Sequence, residues 1–343
     1  PALRAVRDAY PAATLAVLVR EGNGSLLAAE VSPPMIFEVR GKESAGTGKD
    51  LLLSLRLVLA LRRERFDFVL DFRGDERGGY MAFLTGAPVR AGWYYPDLAW
   101  LRNLLFTHLL RLPPGSITSP SAGDTSLHVL RAFGVEASNR VPELTCSTEV
   151  LLRAQEILAN EGILSVTTNQ GGDRSSSVDL DSWVTVNPFS RGAYKEWHPG
   201  KWVQIIDWLW QEFGIASVII GSPSEKGRAA ELCRSCAGMV YNLTGKTTLA
   251  ELAGVLKQSR LHIGVDSAAP HIAAAVGTPT VTLYGPSEWW YWAPPGKRNR
   301  VVVSDMECVP CHQQGCDGTG ESRCLDALDV SAVQSAIREE ISR

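Results

Sequence analysis

No stretch of this sequence offers the ~18 to 20 uncharged apolar residues that a membrane-spanning helix needs. The nearest approach, Asp50 to Leu61, is too short and contains Arg56. Positive charge is not in excess either: 34 Lys and Arg face 37 Asp and Glu, for a net charge of −3. The chain therefore has no global basic field to attract nucleic acid. No Gly-x-Gly-x-x-Gly follows a strand in either half, which argues against a nicotinamide-dependent dehydrogenase. Seven cysteines, an odd number in a long chain, do not suit a secreted disulfide framework and point to a reducing cytosol. No signal peptide is legible. The sequence enters at Pro1, without a methionine, directly into a helical pattern, so a segment upstream is expected.

What is present is an alternation of helix and strand over 343 residues, enough for two domains at ~150 residues each. In the first half the pattern predicts helices over 1–10, 50–64, 125–133 and 148–161, a short helix over 22–29, and strands over 14–19, 36–39, 68–70 and 89–93. Residues 165–182 are polar and aperiodic and read as a linker or surface loop. The second half predicts strands over 183–186, 216–220, 261–265, 280–284 and 301–303, with helices over 201–213, 224–236, 247–257, 268–276 and 330–341. This is the rhythm of a mostly parallel sheet covered by helices. The expected organisation is an α/β domain over 1–165, a linker over 166–182 and a second α/β domain over 183–343, facing each other across a cleft. The last helix is read as free to pack back on the first domain.

The stretch Leu261 to Pro286 organises the second half: a buried strand, a polar turn at Asp266 and Ser267, a helix that Ser267 or Asp266 can cap, and a second strand. Its small residues let the helix lie close on the sheet, and its free N–H groups leave the carboxyl end of the first strand, where an anion fits. Asp266 would repel a phosphate, so the diphosphate is assigned to the backbone and Ser267, and the carboxylate to neutral sugar hydroxyls. A capped structural helix with a stray His271 is the blander alternative. Asn187 to Trp202, NPFSRGAYKEWHPGKW, forms a second strand-to-helix loop with Ser190 and Arg191 as phosphate donors and Lys195 as a mobile cation. Gly221 to Glu225 offers a carboxylate to a ribose diol, or simply a helix cap by Ser222 or Ser224 with Glu225.

These segments together, with GKTTLAEL and the late ECVPC…C…CL, resemble the lipopolysaccharide heptosyltransferases, the ADP-heptose-dependent glycosyltransferase family with two Rossmann-like doubly wound domains (the GT-B architecture). The resemblance is strong from Trp183 onward and looser before it, through PALRAVRDAYP and FDFVLDFRGDERGGYMAFLTGAPVRAGW. It implies that Asp266, Ser267, Ala268 and His271 hold the donor sugar and diphosphate, and that Ser190, Arg191 and Lys195 form the phosphate loop. It places Glu225 at the ribose, with Thr247 and Leu249 near the adenine. The family often has glycine where this chain has Ala268. It also has a first strand and an aspartate-bearing loop, taken to supply the catalytic base, before the segment that matches PALRAVRDAYP. That strand is expected to be missing here, and the base is not assigned to any of these residues.

The implied chemistry is a single displacement with inversion, in which helix N–H groups and Lys195 stabilise the charge growing on departing ADP, and Asp266 acts on the sugar. No cofactor is then required. Asp179 and Asp181 resemble the Asp-x-Asp of metal-dependent transferases but sit in the polar linker, away from any anchored diphosphate. Arg73 and Arg77 suit the anionic groups of a lipopolysaccharide core acceptor, with surface charge as the alternative. Trp93, Tyr94, Tyr95 and Trp100 suit sugar stacking, a membrane interface or a loop folded on the core. Cys308, Cys311, Cys316 and Cys324, with His312 among them, have the density of a structural zinc clamp, with free thiols or an adventitious disulfide as alternatives. Cys233 and Cys236 read as packing residues. Expected partners are ADP-heptose, the core acceptor and, transiently, the inner face of the cytoplasmic membrane; a cytoplasmic setting follows. The competing readings are another nucleotide-sugar transferase or an epimerase of this architecture, or a non-catalytic nucleotide- or glycan-binding protein.

Overall fold

The structure is a computed structural model that describes residues 1–30, 33–40, 48–94, 100–111, 121–164 and 183–343. The chain divides into two compact units, Pro1–Gly24 with Ser32–Arg140, and Ser25–Val31 with Val141–Arg343. The expected linker, with Asp179 and Asp181, and Tyr95 all lie outside the described residues.

In the first unit, helix α1 (Ala2–Ala9) precedes the parallel pair β1 (Ala16–Arg20) and β2 (Met35–Val39). Helix α2 (Gly48–Arg63) leads into a second parallel sheet, β3 (Phe68–Leu70), β4 (Val89–Trp93) and β5 (His108–Leu110), with helices α3 (Glu76–Leu84) and α4 (Trp100–Leu104) between its strands. Helix α5 (Ala122–Arg131) starts on a reciprocal Ser121–Asp124 capping box, and its Leu127 and Leu130 pack with Ala5 of α1. The first unit also buries an ion pair: Arg102 Nη2 lies 3.0 Å from Asp71 Oδ2, with side chains 1% and 5% exposed. The guanidinium also donates to the carbonyls of Trp93 and Asp75 and sits over the Phe106 ring. Gly78 is needed there because an added Cβ would stand 2.4 Å from Asp71 Oδ1.

The second unit begins with helix α6 (Thr148–Asn160) and holds a six-stranded sheet of β6 (Trp183–Asn187), β7 (Ala216–Ile219), β8 (Val240–Asn242), β9 (His262–Val265), β10 (Thr280–Leu283) and β11 (Asn299–Val302). All pairings are parallel, in the order β11-β10-β9-β6-β7-β8. Relative to its own first strand this is the doubly wound order 3-2-1-4-5-6. Helices cover both faces, so the central strands are buried on both sides and read as nearly unbroken apolar runs. On one face α7 (Pro199–Phe213) and α13 (Val330–Ile341) pack through Trp202, Ile205, Leu209, Val333 and Ile337. On the other, α6, α9 (Leu249–Gln258) and α10 (Ala268–Ala275) supply Ala154, Leu158, Val255, Leu256, Ile272 and Ala273. Helix α8 (Lys226–Ser235) packs beside β8, and the short helix α11 (Trp289–Trp292) lies between β10 and β11 in the chain.

Two expectations differ from this arrangement. The division falls at 140/141 rather than in the linker, because the apolar face of α6 docks on α9; Gly254 there has no room for a Cβ, which would come 2.9 Å from both Val150 O and the Ala154 Cβ. The last helix packs on its own unit, against α7, β10 and β11, and its buried Glu340 pairs with Arg298 and Arg300.

Candidate functional site

In a doubly wound sheet the chain reverses direction of growth between its first and fourth strands, and the loops leaving their carboxyl ends part to form a crevice. Those strands are β6 and β9, and the loops after them carry Asn187–His198 and Asp266–Ser267. Asn187 begins the coupling: its Oδ1 accepts from the Phe189 amide at 3.1 Å, and its Nδ2 donates to Ser267 Oγ at 3.1 Å. Ser190 Oγ donates to the Asp266 carbonyl at 3.1 Å. Lys195, from a short 3-10 turn, brings Nζ to 2.7 Å from Asp266 Oδ2, with side chains 26% and 10% exposed. The structure thus joins Ser190, Lys195, Asp266 and Ser267 across the switch point.

Helix α10 leaves this point with no side chain capping its first turn. Ser267 holds the N-cap position, but its hydroxyl is engaged by Asn187, and Asp266 is engaged by Lys195; neither caps as expected. The first amides of α10 are therefore left to whatever anion approaches. Ala268 is exposed there. His271 stands one turn along, its imidazole pKa lowered by lost hydration while Asp266 opposes the shift.

The loop after β7 carries Glu225 in the turn Pro223–Glu225, where its Oε2 accepts from the Ser222 amide at 2.6 Å in a capping box, the blander of the two readings. After β8, Thr248 and Glu251 cap α9; Thr247 is half-buried and Leu249 packs into the core beneath. Glu225, Thr247 and Leu249 thus share one sheet edge with Asp266. Arg191 is exposed on the same loop as Lys195.

Besides Asn187, sequence reasoning missed two residues that support this edge. Glu196, its side chain 10% exposed, accepts from the Ser190 amide at 2.9 Å and pairs through both oxygens with Arg228 of α8. The residues flanking helix α12 (Arg323–Ala327) brace the loop: Ser322 Oγ donates to the Tyr194 carbonyl at 2.7 Å, and Trp197 Nε1 donates to the Leu328 carbonyl at 3.2 Å.

Other candidates are placed differently. Arg73 pairs with Asp75, and Arg77 donates to the Arg40 carbonyl at 2.6 Å, both in the first unit beyond the end of β3. Trp93 is 3% exposed and stacked on His128, so it is core and not a sugar platform. Tyr94 lies under the Arg111 guanidinium. A cavity of about 310 Å³, lined by Arg62, Arg65 and Asp67 among others, opens at the amino ends of β3 and β4, the edge away from Arg73. Among the described residues no three of His, Cys, Asp or Glu are arranged to hold a metal ion. Cys308, Cys311, Cys316 and Cys324 do not form the expected zinc clamp: Cys308 is exposed, Cys324 is buried, and His312 faces Glu288. Burial, with the neighbouring thiols adding, pushes Cys324 up to about 11. Cys236 donates to the Leu232 carbonyl and, with Cys233, packs on the core, as expected of packing residues.

The family model of glycosyltransferase family 9 (heptosyltransferase) matches residues 54–320. Lipopolysaccharide heptosyltransferase 3 of Escherichia coli is 24% identical over 299 residues, 86% of this chain and 81% of that protein. A family 9 glycosyl transferase from Veillonella parvula superposes with a TM-score of 0.77 at 20% identity, covering 99% of this chain and 91% of that one. An Escherichia coli heptosyltransferase, solved with ADP-2-deoxy-2-fluoro heptose, gives 0.68 at 20% identity, covering 99% and 94%. The structural likenesses establish the fold, and the match over most of the sequence establishes the family: this chain belongs to glycosyltransferase family 9 and is a glycosyltransferase.

Proposed function

We propose that the protein transfers heptose from ADP-heptose to the inner core of a lipopolysaccharide precursor, with inversion at the anomeric carbon. The observation that carries this reading is the Lys195–Asp266 pair beside the uncapped start of α10. It brings a cation, a carboxylate and free amides together at the switch point of a doubly wound sheet. On binding, the diphosphate takes the α10 amides and Lys195, and Asp266, freed from the lysine, accepts from the sugar hydroxyls. Glu225 takes the ribose, Thr247 and Leu249 line the adenine side, and Ala268 and His271 line the diphosphate and sugar. An acceptor hydroxyl then attacks the anomeric carbon and loses its proton to a base, and the bond to the diphosphate oxygen breaks with the negative charge leaving on ADP. Lys195 and the helix amides stabilise that charge, so a divalent cation is not needed for it. Arg73 and Arg77 are assigned to the anionic acceptor, which would be met at the inner surface of the cytoplasmic membrane. The relatives named as lipopolysaccharide heptosyltransferases, and the related structure solved with an ADP-heptose analogue, support the substrate assignments.

Calorimetry with ADP tests the donor half. Lys195→Ala should weaken binding by roughly 1 to 3 kcal/mol, the range for a charge-assisted contact. Unchanged affinity removes Lys195 from the site, and no binding by the parent protein removes the donor reading itself.

A further inference from the structure

We infer that the Glu196–Arg228 pair is a positioning device that holds the loop after β6 in the shape that receives a nucleoside diphosphate, an inference that rests on the donor reading above. Glu196 follows Lys195 directly and accepts from the amide of Ser190, so one carboxylate ties together both ends of the stretch that carries Ser190, Arg191 and Lys195. On its other side that stretch is fastened to Asp266 by Ser190 Oγ and Lys195 Nζ. Those are the bonds that a diphosphate and a sugar would replace. When they are exchanged for the ligand, Glu196 still ties the two ends of the stretch together, beside the braces on Tyr194 and Trp197.

A carboxylate only 10% exposed beside an anion site would by itself repel the ligand. Arg228 cancels that charge. Its Nη1 lies 3.2 Å from Glu196 Oε1, its Nη2 bonds Oε2, and the guanidinium rests on the Phe189 ring at 5.0 Å from the centroid. The planar fork needs this two-point geometry, which a lysine cannot reproduce. Arg228 belongs to α8, which starts immediately after Glu225. The pair therefore locks the loop after β7, assigned to the ribose, to the loop after β6, assigned to the diphosphate. Such preorganisation raises affinity without a contact of its own to the ligand.

The test compares the parent, Arg228→Met, Glu196→Gln and the double variant by calorimetry with ADP and with adenosine, after thermal melts show that each is folded. Arg228→Met should weaken ADP about tenfold, because it leaves the carboxylate unpaired. Adenosine affinity should stay within about twofold, since it presents no phosphate to the unpaired carboxylate and the ribose loop keeps its own Ser222–Glu225 capping box. Adding Glu196→Gln to Arg228→Met should recover part of the lost ADP affinity by removing the repelling charge. A purely structural brace would make the double variant as weak as the single one or weaker. Equal losses for ADP and adenosine, or a double variant with no recovery, overturn the inference. If the parent binds no ADP, the donor reading fails first, and hydrogen exchange then decides the pair: the Ser190 amide must exchange faster in Arg228→Met than in the parent, and equal rates overturn it.

Discussion

At the scale of the residue, the two carboxylates that matter are tied to cations in opposite ways. Asp266 shares a partly open pair with Lys195, a partner that ligand can replace. Asp266→Asn should leave ADP affinity near its parent value and lose most of the preference for ADP-heptose over ADP, read by competition calorimetry. If the preference survives while the acidic limb of the kcat/KM profile disappears, Asp266 is the base instead. Asp71 is sealed with Arg102. Burial raises the Asp71 pKa above the ordinary carboxylate value, against the lowering effects of the Arg73 and Gly74 amides and of Arg102. Removing the cation leaves a buried charge unpaired, at a cost of about 3 to 5 kcal/mol. Arg102→Leu should therefore melt far below the parent at neutral pH. Because its folded-state pKa is raised, Asp71 favours the fold where it is protonated, and that contribution is lost as pH rises through the folded pKa. The deficit of Arg102→Leu should accordingly shrink as pH falls from neutrality and Asp71 takes up its proton; a deficit independent of pH would place the damage in lost packing.

At the scale of the element, legibility followed the period of each segment and not its importance. The strands at 68–70 and 89–93 and the last helix were readable to the residue, because short runs of strand-forming residues and a clear helical stripe marked them. Helix α3 was not legible, since Gly78 and Gly79 depress its propensity and are retained for close approach to Asp71 and Arg102. The strands β5 and β8, three residues each like β3, were not legible because neither His108–Leu110 nor Val240–Asn242 is an unbroken apolar run such as Phe68–Leu70. The candidate site was legible where a strand end met a helix start, as at Asp266 and Lys195. Asn187, Glu196 and Arg228 were not, because their partners lie across the sheet and no spacing along the chain records them. Strand β9 carries its own test. His262 is fully buried, its Nδ1 3.0 Å from Thr185 Oγ1, and burial pulls its pKa down to about 3. A base whose folded pKa is depressed supports the fold above its unfolded pKa, and that support is lost as pH falls toward the folded value. Stability should drop below about pH 6.5 by up to about 1.4 kcal/mol per unit, and His262→Phe should remove that part of the slope in urea titrations. Equal slopes would mean that the imidazole is already charged in the fold.

At the scale of the whole molecule, the two units should not share one unfolding transition. The second has extensive packing on both faces of its sheet, whereas the buried cluster described in the first centres on Ala5, Leu127, Leu130 and Val135. Two of the ten tryptophans, Trp93 and Trp100, belong to the first unit, so tryptophan emission reports mainly on the second. In a urea titration, far-ultraviolet circular dichroism should begin to change before fluorescence does, and coincident curves would show a single cooperative unit. The bonds from Ser322 and Leu328 to the loop after β6 add one more consequence. A protease cut between Gly315 and Ser322 would leave the sheet and its helices intact to the eye of a spectrometer, yet the tether on Tyr194 and Trp197 would go slack. Loss of ligand affinity with an unchanged far-ultraviolet spectrum would then report damage more than a hundred residues away along the chain from the lysine it disables.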